Sequence, residues 1–464
     1  IGAVPAMVFL GLIMMPFYYG SKVRSVPEYL RLRFDRPTHV YQSAVFAIAT
    51  ILVAGINLFA LALLINVLIG WPLWASIIAA AGVVLLYTTM GGLTATMYNE
   101  VLQFFIIVAF LIPLTVGGLI RVGGIDGLLE TIRTHELLGE NGLSVWGGTG
   151  LANTTNPYGN WIALLLGMGF VNSFGYWTTN FTEVQRALSA KDMSAAQRTP
   201  IIAAIPKMLL PAIIIMPGLI AAVLIPELSN GKLSHNEALP ALIGKAMPTG
   251  LVGLALAALI AAFMAGMAAN ISAFNTVFTV DLYQRYVNKD ADDDRYLRMG
   301  HIATGVATVV AIFTALIAST YSNLMDYLQQ LFSMFNAPLF ATFIIGMFWK
   351  RATNHGGWAG LTAGTLAALA VNILNWNHIV SFPGQGAAFL AAGVAFAVDV
   401  VVTIAVSLVT APRPDDQLKG FVYSLTPASQ RHDPAAGELA WFRRPVPLAI
   451  LSGGLVVLLN LIFH

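Results

Sequence analysis

Lys207 is a charged residue in a stretch of sequence that is otherwise apolar. The surrounding run, residues 201–226, reads IIAAIPKMLLPAIIIMPGLIAAVLIP and contains no second charged side chain. A charge at membrane depth costs roughly 2.5 to 3.5 kcal/mol on insertion scales, so such a residue often marks a polar pathway. A lysine lying about 9 Å inside an apolar layer can also extend its long side chain back towards the interface. Position alone leaves both interpretations open.

Residues in two further stretches suit the binding of a solute that carries many hydroxyl groups. Ser173, Tyr176 and Trp177 lie in the sequence SFGYW, and Gln329 follows DYL at the beginning of another apolar run. Aromatic faces stack on the apolar faces of sugar rings, while hydroxyls and amides hydrogen-bond to the ring hydroxyls. The alternatives are structural: Tyr and Trp favour membrane interfaces, and a glutamine can join two membrane helices.

Two carboxylates also fall in or beside apolar sequence. Glu100, in YNE, opens a long apolar segment, where a carboxylate suits a cation path but also the positive end of a helix. Asp399, in FAVDVVV, lies inside an apolar run and receives no role from the sequence.

The elements that hold these side chains are predicted to be membrane helices. The chain is 57% hydrophobic and 10% charged, with a mean hydropathy of +0.76, whereas soluble domains carry about 25% charged residues. Apolar runs near the roughly 20 residues that span a bilayer recur throughout. We predict twelve, at about 1–20, 42–69, 72–90, 100–120, 160–182, 201–226, 249–280, 299–319, 324–348, 356–376, 386–410 and 446–463.

Basic residues cluster on alternating loops between these segments, beginning with SKVRSVPEYLRLRFDRP. Positively charged loops stay inside, so the pattern predicts a multi-pass protein of the plasma or inner membrane, embedded in the lipid bilayer.

Several functions are excluded by what the sequence lacks. It has no cysteine, hence no disulfide and no thiolate metal site. Its eight histidines are scattered, and it contains no phosphate-binding loop, HExxH motif or serine-nucleophile elbow. A net charge of +2 argues against a nucleic-acid surface. We therefore expect neither an enzyme nor a bound metal or cofactor.

Long stretches of the chain resemble one family. YTTMGGLTATMYNEVLQFFI and VPEYLRLRF resemble the solute:sodium symporter family. YWTTNFTEVQRALSAKDMSAAQ, the following KMLLPAIIIMPG, DYLQQLFSMFNAPLFATFIIGMFWKRATNHGGWAG and LKGFVYSLT resemble its sodium/glucose cotransporter branch. The resemblance covers essentially the whole chain.

The resemblance implies an all-α, LeuT-like membrane fold built from two inverted repeats, with substrate near the midplane. In a single transporter domain, 1–464, residues 1–120 would be the remainder of the first repeat and 160–348 the second. Residues 356–464 would form peripheral helices, with an irregular cytoplasmic linker at 411–445. Residue 1 is Ile, and the family's first helices have no counterpart here, so we expect the chain to be a truncated transporter.

The resemblance also implies roles for particular residues. Tyr176 would be the inner gate that stacks on the sugar, with Trp177 beside it. Lys207 and Gln329 would hydrogen-bond to sugar hydroxyls, and Ser173 stands where relatives carry a short polar side chain.

The cation side departs from the family pattern. Glu100 matches an aspartate on the cation's exit path. The paired sodium-binding hydroxyls fall at Ala265 and Gly266, which offer no side-chain oxygen, although a backbone oxygen such as that of Ala262 remains available. Asn180 replaces an acidic residue common in the glucose branch.

The sequence thus predicts Na⁺-coupled symport of a sugar or polyol by alternating access. Alternatives are Na⁺-independent transport, H⁺ coupling through Glu100 or Glu183, and a solute sensor that retains the transporter fold.

Overall fold

The computed structural model describes residues 3–23, 25–134, 163–379, 382, 385–427 and 440–462. Within these ranges the regular structure is entirely helical. The residues that the sequence predicts as apolar segments form the long helices, since a helix satisfies all its backbone groups internally, as lipid requires.

Fifteen helices of more than one turn organise the described residues. They are α1 Ala3–Gly20, α2 Val26–Arg33, α3 Arg36–Ile69, α4 Leu73–Val122, α5 Gly124–Thr134, α6 Ser173–Thr179, α7 Phe181–Leu188, α8 Met193–Leu224, α9 Ala238–Ala246, α10 Thr249–Thr276, α11 Asp293–Ala318, α12 Leu324–Phe348, α13 Asn354–Trp376, α14 Gly386–Val409 and α15 Pro445–Ile462. Wider π-helical turns occur inside α1, at Leu10–Met14, before α6, at Ala163–Asn172, and after α10, at Val277–Val287.

Ten helices in the described ranges are long and apolar enough to cross a membrane. Two of the twelve predicted segments are not among them. Segment 72–90 is the first part of α4, a continuous 50-residue helix that also contains segment 100–120. Segment 160–182 is described only from residue 163, where the π-helical turns precede the short helix α6.

The chain divides into two compact units. The first comprises residues 1–46, 148–208 and 329–464, and the second comprises 47–147 and 209–328. Each unit takes residues from both predicted repeats, and the repeat boundaries themselves stay a prediction. In the predicted linker 411–445 the described residues form only short turns, at Asp415–Leu418, Tyr423–Leu425 and Trp441–Arg443.

Close helix packing in the first unit depends on glycine. Gly360 and Gly364 of α13 face α14, and a methyl group at Gly360 would collide with the Thr403 hydroxyl and lie 2.8 Å from an Asp399 oxygen. Small residues allow such backbone approach between membrane helices, where packing rather than hydrophobicity drives association.

The second unit contains a similar approach. A methyl group at Gly55 of α3 would collide with Thr314 of α11. The Thr314 hydroxyl donates to the Ile51 carbonyl at 3.2 Å, so the close approach is also hydrogen-bonded.

Candidate functional site

A helix break positions the aromatic residues of the first unit. Helix α6 ends at Thr179 because Asn180 leaves helical geometry, with φ −72° and ψ 111°. The Asn180 side chain then accepts a hydrogen bond from the Thr182 amide at 3.0 Å and caps α7. The Tyr18 hydroxyl of α1 donates to the Thr178 carbonyl at 2.8 Å, which fixes α6 against α1.

Tyr176 is held by an acid and by two aromatic rings. Its hydroxyl donates to Oε1 of Glu183 at 2.8 Å. Its ring centroid lies 5.0 Å from that of Phe332 on α12 and 5.5 Å from that of Trp177. These separations are typical of favourable aromatic pairs, so the ring has a defined position in the first unit.

Lys207, on α8, places its ammonium against the face of Trp177. Nζ lies 4.6 Å from the centre of the ring, a cation–π contact worth roughly 0.5 to 2 kcal/mol. The Glu183 carboxylate also acts electrostatically on this ammonium. Trp177 in turn packs on the apolar cluster of Val4, Met7, Ala204 and Val456, which links α6 with α1, α8 and α15.

Gln329 lies beside an asparagine that the sequence reasoning missed. Nδ2 of Asn172 donates to Oε1 of Gln329 at 3.3 Å, which joins the end of the π-helical turns to α12. Asn172 is 5% exposed, and its Oδ1 has no hydrogen-bond partner among the described residues. Its position one residue before Ser173 was a usable signal, because both residues interrupt the same apolar run.

The Ser173 hydroxyl is engaged within its own chain segment. It donates to the Met168 carbonyl, five residues earlier, at 2.9 Å. This span follows from the π-helical turns, which leave the carbonyl at i−5 in the place that i−4 occupies in an α-helix. The Ser173 hydroxyl is thus used for backbone hydrogen bonding.

The residues predicted on the cation side all belong to the second unit. Ala262, Ala265 and Gly266 lie on α10, and Glu100 lies on α4, partly buried. The Gly266 carbonyl accepts a hydrogen bond from Nδ2 of Asn270 at 2.8 Å.

Asn57, on α3, is a second residue that sequence reasoning missed. A methyl group at Gly266 would lie 2.5 Å from Oδ1 of Asn57, so this amide oxygen occupies the space that a side chain at Gly266 would need. A side chain at position 266 would therefore force the Asn57 amide to move. Among the described residues, no group of three or more histidine and acidic side chains is arranged to hold a metal ion.

The sequence is similar to known sodium-coupled cotransporters. The sequence profile of the Sodium:solute symporter family matches residues 1–364. The chain is 29% identical to a sodium/mannose cotransporter of Bos taurus, over 80% of this chain and 65% of that protein. It is 29% identical to sodium/glucose cotransporter 2 of Rattus norvegicus, over 96% and 72%, and 27% identical to a sodium/glucose cotransporter of Vibrio parahaemolyticus, over 79% and 70%.

A solved structure shares the fold. The substrate-bound, outward-open structure of a Na⁺-coupled sialic acid symporter superposes with a TM-score of 0.72 at 20% identity, covering 89% of this chain and 83% of that one. The chain spans about two thirds of its first curated relative. These relatives are cotransporters rather than enzymes, and the ten apolar helices make this a multi-pass membrane protein of the plasma or inner membrane. A family profile that matches more than three quarters of the sequence, together with this fold, shows that the chain belongs to the sodium:solute symporter family.

Proposed function

We propose that the protein is a secondary active transporter that couples Na⁺ to the uptake of a sugar or polyol. The observation that carries this proposal is the set of contacts in the first unit. Lys207 lies on Trp177, Tyr176 lies between Trp177 and Phe332, and Gln329 is bonded to Asn172. An ammonium, two amides and flat aromatic faces are the groups that bind a ring bearing hydroxyls.

The named relatives support the same substrate class. They are sodium/glucose and sodium/mannose cotransporters, and sodium/myo-inositol cotransporter 2 of Oryctolagus cuniculus is also similar, at 28% identity. Glucose, mannose and myo-inositol are uncharged molecules with several hydroxyl groups. In the proposed cycle the solute binds from outside at the site formed by Tyr176, Trp177, Lys207 and Gln329. Tyr176 then closes the inner path until the transporter opens inward.

A Na⁺-independent or H⁺-coupled transporter is the second candidate. It is favoured by one observation: Ala265 and Gly266 provide no side-chain oxygen where the family resemblance places sodium ligands. Na⁺ prefers oxygen ligands, so the cation would depend on backbone carbonyls, the Asn57 amide or residues elsewhere. A solute sensor that retains the transporter fold would also lack coupling.

Alanine variants of the two polar residues test the substrate side. We expect Lys207→Ala and Gln329→Ala each to weaken sugar or polyol binding about tenfold, because each removes a hydrogen bond worth roughly 1.4 kcal/mol. Competition in a counterflow assay with purified protein in liposomes measures the affinity for glucose, mannose and myo-inositol.

Lys245→Ala is the matched control. Lys245 is an exposed lysine whose ammonium lies 3.0 Å from Glu227, remote in sequence from the site residues. Its loss should leave the affinity unchanged. If both site variants bind the solute as tightly as the unaltered protein does, the assignment of Lys207 and Gln329 is wrong.

A further inference from the structure

Glu183 is an acid that the substrate assignment above does not use. It lies in the first turn of α7, three residues after Asn180, and its side chain is partly buried. A carboxylate in this position commonly bonds to backbone amides at the helix N-terminus. Here the hydrogen bond that Oε1 accepts comes instead from the Tyr176 hydroxyl on α6.

The position of this carboxylate is therefore set by the candidate substrate site. The Tyr176 hydroxyl holds it at 2.8 Å, and Phe332 and Trp177 hold the Tyr176 ring. A hydrogen bond from a neutral donor to a carboxylate is stronger than one between neutral groups, so the pair keeps a defined geometry.

Two cations act on the same small region. The Glu183 carboxylate interacts electrostatically with Lys207, and Arg186, one turn further along α7, acts on Tyr176. The Arg186 guanidinium also donates to the Thr182 carbonyl. Glu183 thus supplies a negative charge that acts on Lys207 beside the aromatic rings of the candidate site.

We propose that Glu183 sets the charge selectivity of the substrate site, favouring neutral sugars and polyols and excluding their acids. This inference rests on the proposed function and adds the charge of the substrate to it. The physical reason is electrostatic: an anionic solute placed near Tyr176 meets the Glu183 carboxylate, and like charges in a poorly solvated site repel strongly. Glu183 acts here as a specificity residue whose position is set by the Tyr176 hydroxyl.

Glu183→Gln tests the charge alone, because the amide oxygen can still accept the Tyr176 hydrogen bond. We expect the affinity for D-glucuronate relative to D-glucose, and for D-mannuronate relative to D-mannose, to rise about tenfold, the change that 1.4 kcal/mol produces. Competition against a transported neutral solute in the counterflow assay measures each ratio. Glu183→Asp keeps the charge and should keep the original preference.

Glu227→Gln is the control for a charge change elsewhere. Glu227 is paired with Lys245 at 3.0 Å on an exposed part of the second unit. The acid-to-neutral affinity ratio of this variant should equal that of the unaltered protein. An unchanged ratio in Glu183→Gln would overturn the proposal.

The interaction between the Glu183 and Lys207 charges can be measured without any substrate, which tests this proposal separately from the proposed function. The unfolding midpoints of Glu183→Gln, Lys207→Met and the double variant form a double-mutant cycle for these two charges. Removing one charge leaves the other without its counter-charge, so we expect the double variant to unfold at a higher temperature than the sum of the single shifts predicts. Additive shifts would overturn the proposal. If no sugar, polyol or sugar acid binds, the proposed function fails, while the cycle still decides whether the two charges interact.

Discussion

The chemistry of this chain depends on a few polar side chains placed in apolar surroundings. Lys207 shows how such a residue is accommodated. Its ammonium lies on the Trp177 ring and interacts electrostatically with Glu183, so the cost of a cation inside an apolar helix is partly offset. The sequence left a snorkelling lysine as an alternative, and a role of Lys207 in substrate binding stays a prediction.

Asp399 is the residue to which the sequence assigned no role. It is completely buried on α14, and its two oxygens accept hydrogen bonds from Thr342 of α12 at 2.7 Å and from Thr403 at 3.0 Å. The bond from Thr342 joins α12 to α14 in the first unit, whereas Thr403 lies one turn further along α14 itself. Thr342 precedes Asp399 by 57 residues, so this partner becomes visible only when the helices pack.

Replacing Asp399 by Ala should therefore destabilise the protein by about 1 to 3 kcal/mol, since two buried threonine hydroxyls lose their acceptor. Asp399→Asn, which retains an oxygen acceptor, should cost less. Thermal unfolding in detergent measures both. Asp415→Ala is the control, because its ion pair with Lys350 is more than half exposed and should contribute little. Equal midpoints for the Asp399 and Asp415 variants would contradict the structural role of Asp399.

At the scale of elements, α2 is fastened to the end of α12 by an arginine. Arg33 is fully buried and donates to the carbonyls of Gly346 at 2.6 Å, Trp349 at 3.0 Å and Ala352 at 3.1 Å. The last carbonyls of a helix lack partners within the helix and carry partial negative charge, so a guanidinium stabilises them. In the sequence, Arg33 was simply one of the basic residues that indicate an inside loop.

We expect Arg33→Lys to destabilise the protein nearly as much as Arg33→Ala, by at least about 2 kcal/mol, because an ammonium cannot reproduce the planar fork of donors. Arg31→Ala on the same helix is the control. It forms an ion pair with Glu28 at 3.8 Å, and both side chains are partly exposed, so a loss below about 1 kcal/mol is expected. An Arg33→Lys variant that unfolds at the same midpoint as the unaltered protein would contradict the requirement for the planar guanidinium donors.

The same contact should be insensitive to pH in the physiological range. Burial lowers the pKa of Arg33 from the usual value of an arginine to about 10. Because the folded-state pKa lies below the unfolded one, this group makes stability increase with pH only between those two values. The effect of Arg33→Ala on the unfolding midpoint should therefore be constant below about pH 9.

The apolar pattern of the sequence predicted most of the helices but misplaced some of the boundaries between them. Segments 72–90 and 100–120 were separated in the sequence by the pair Gly91-Gly92, yet α4 continues through them. Glycine lowers helix propensity by only about 1 kcal/mol, which packing can override. The break at Asn180 is the opposite case: a capping side chain ends one helix and starts the next, and no proline marked it.

At the scale of the whole molecule, the proposed Na⁺ coupling can be tested by exchanging the cation. The predicted substrate residues belong to the first unit and the predicted cation-side residues to the second. We expect counterflow of the neutral solute to fall at least about tenfold when choline replaces Na⁺, if Na⁺ binding supplies 1.4 kcal/mol or more of coupling.

A proton ionophore provides the matching control for this measurement. Na⁺ coupling predicts that collapsing a proton gradient leaves uptake unchanged in the presence of Na⁺. If uptake is equal in choline and in Na⁺ but stops when the proton gradient is removed, the H⁺-coupled alternative is right. Uptake that is insensitive to both treatments would indicate uncoupled transport.

The sequence by itself determined the class of protein and its family. Composition and apolar segment length predict a helical membrane protein, and extended motifs predict the symporter family; the fold and the family match confirm both. The site residues and the repeat boundaries stay predictions. Such features are accessible because hydropathy and motifs are local properties of consecutive residues.

Only the tertiary structure decided which side chains meet. Glu183 with Tyr176, Asn172 with Gln329, and Asn57 with Gly266 are contacts between different helices. They depend on helix rotation, on π-helical turns and on where small residues permit close approach, and none of these is a property of a single segment. The polar and aromatic residue types of the candidate substrate site were therefore available from the sequence, whereas the hydrogen-bond partners of these residues were not.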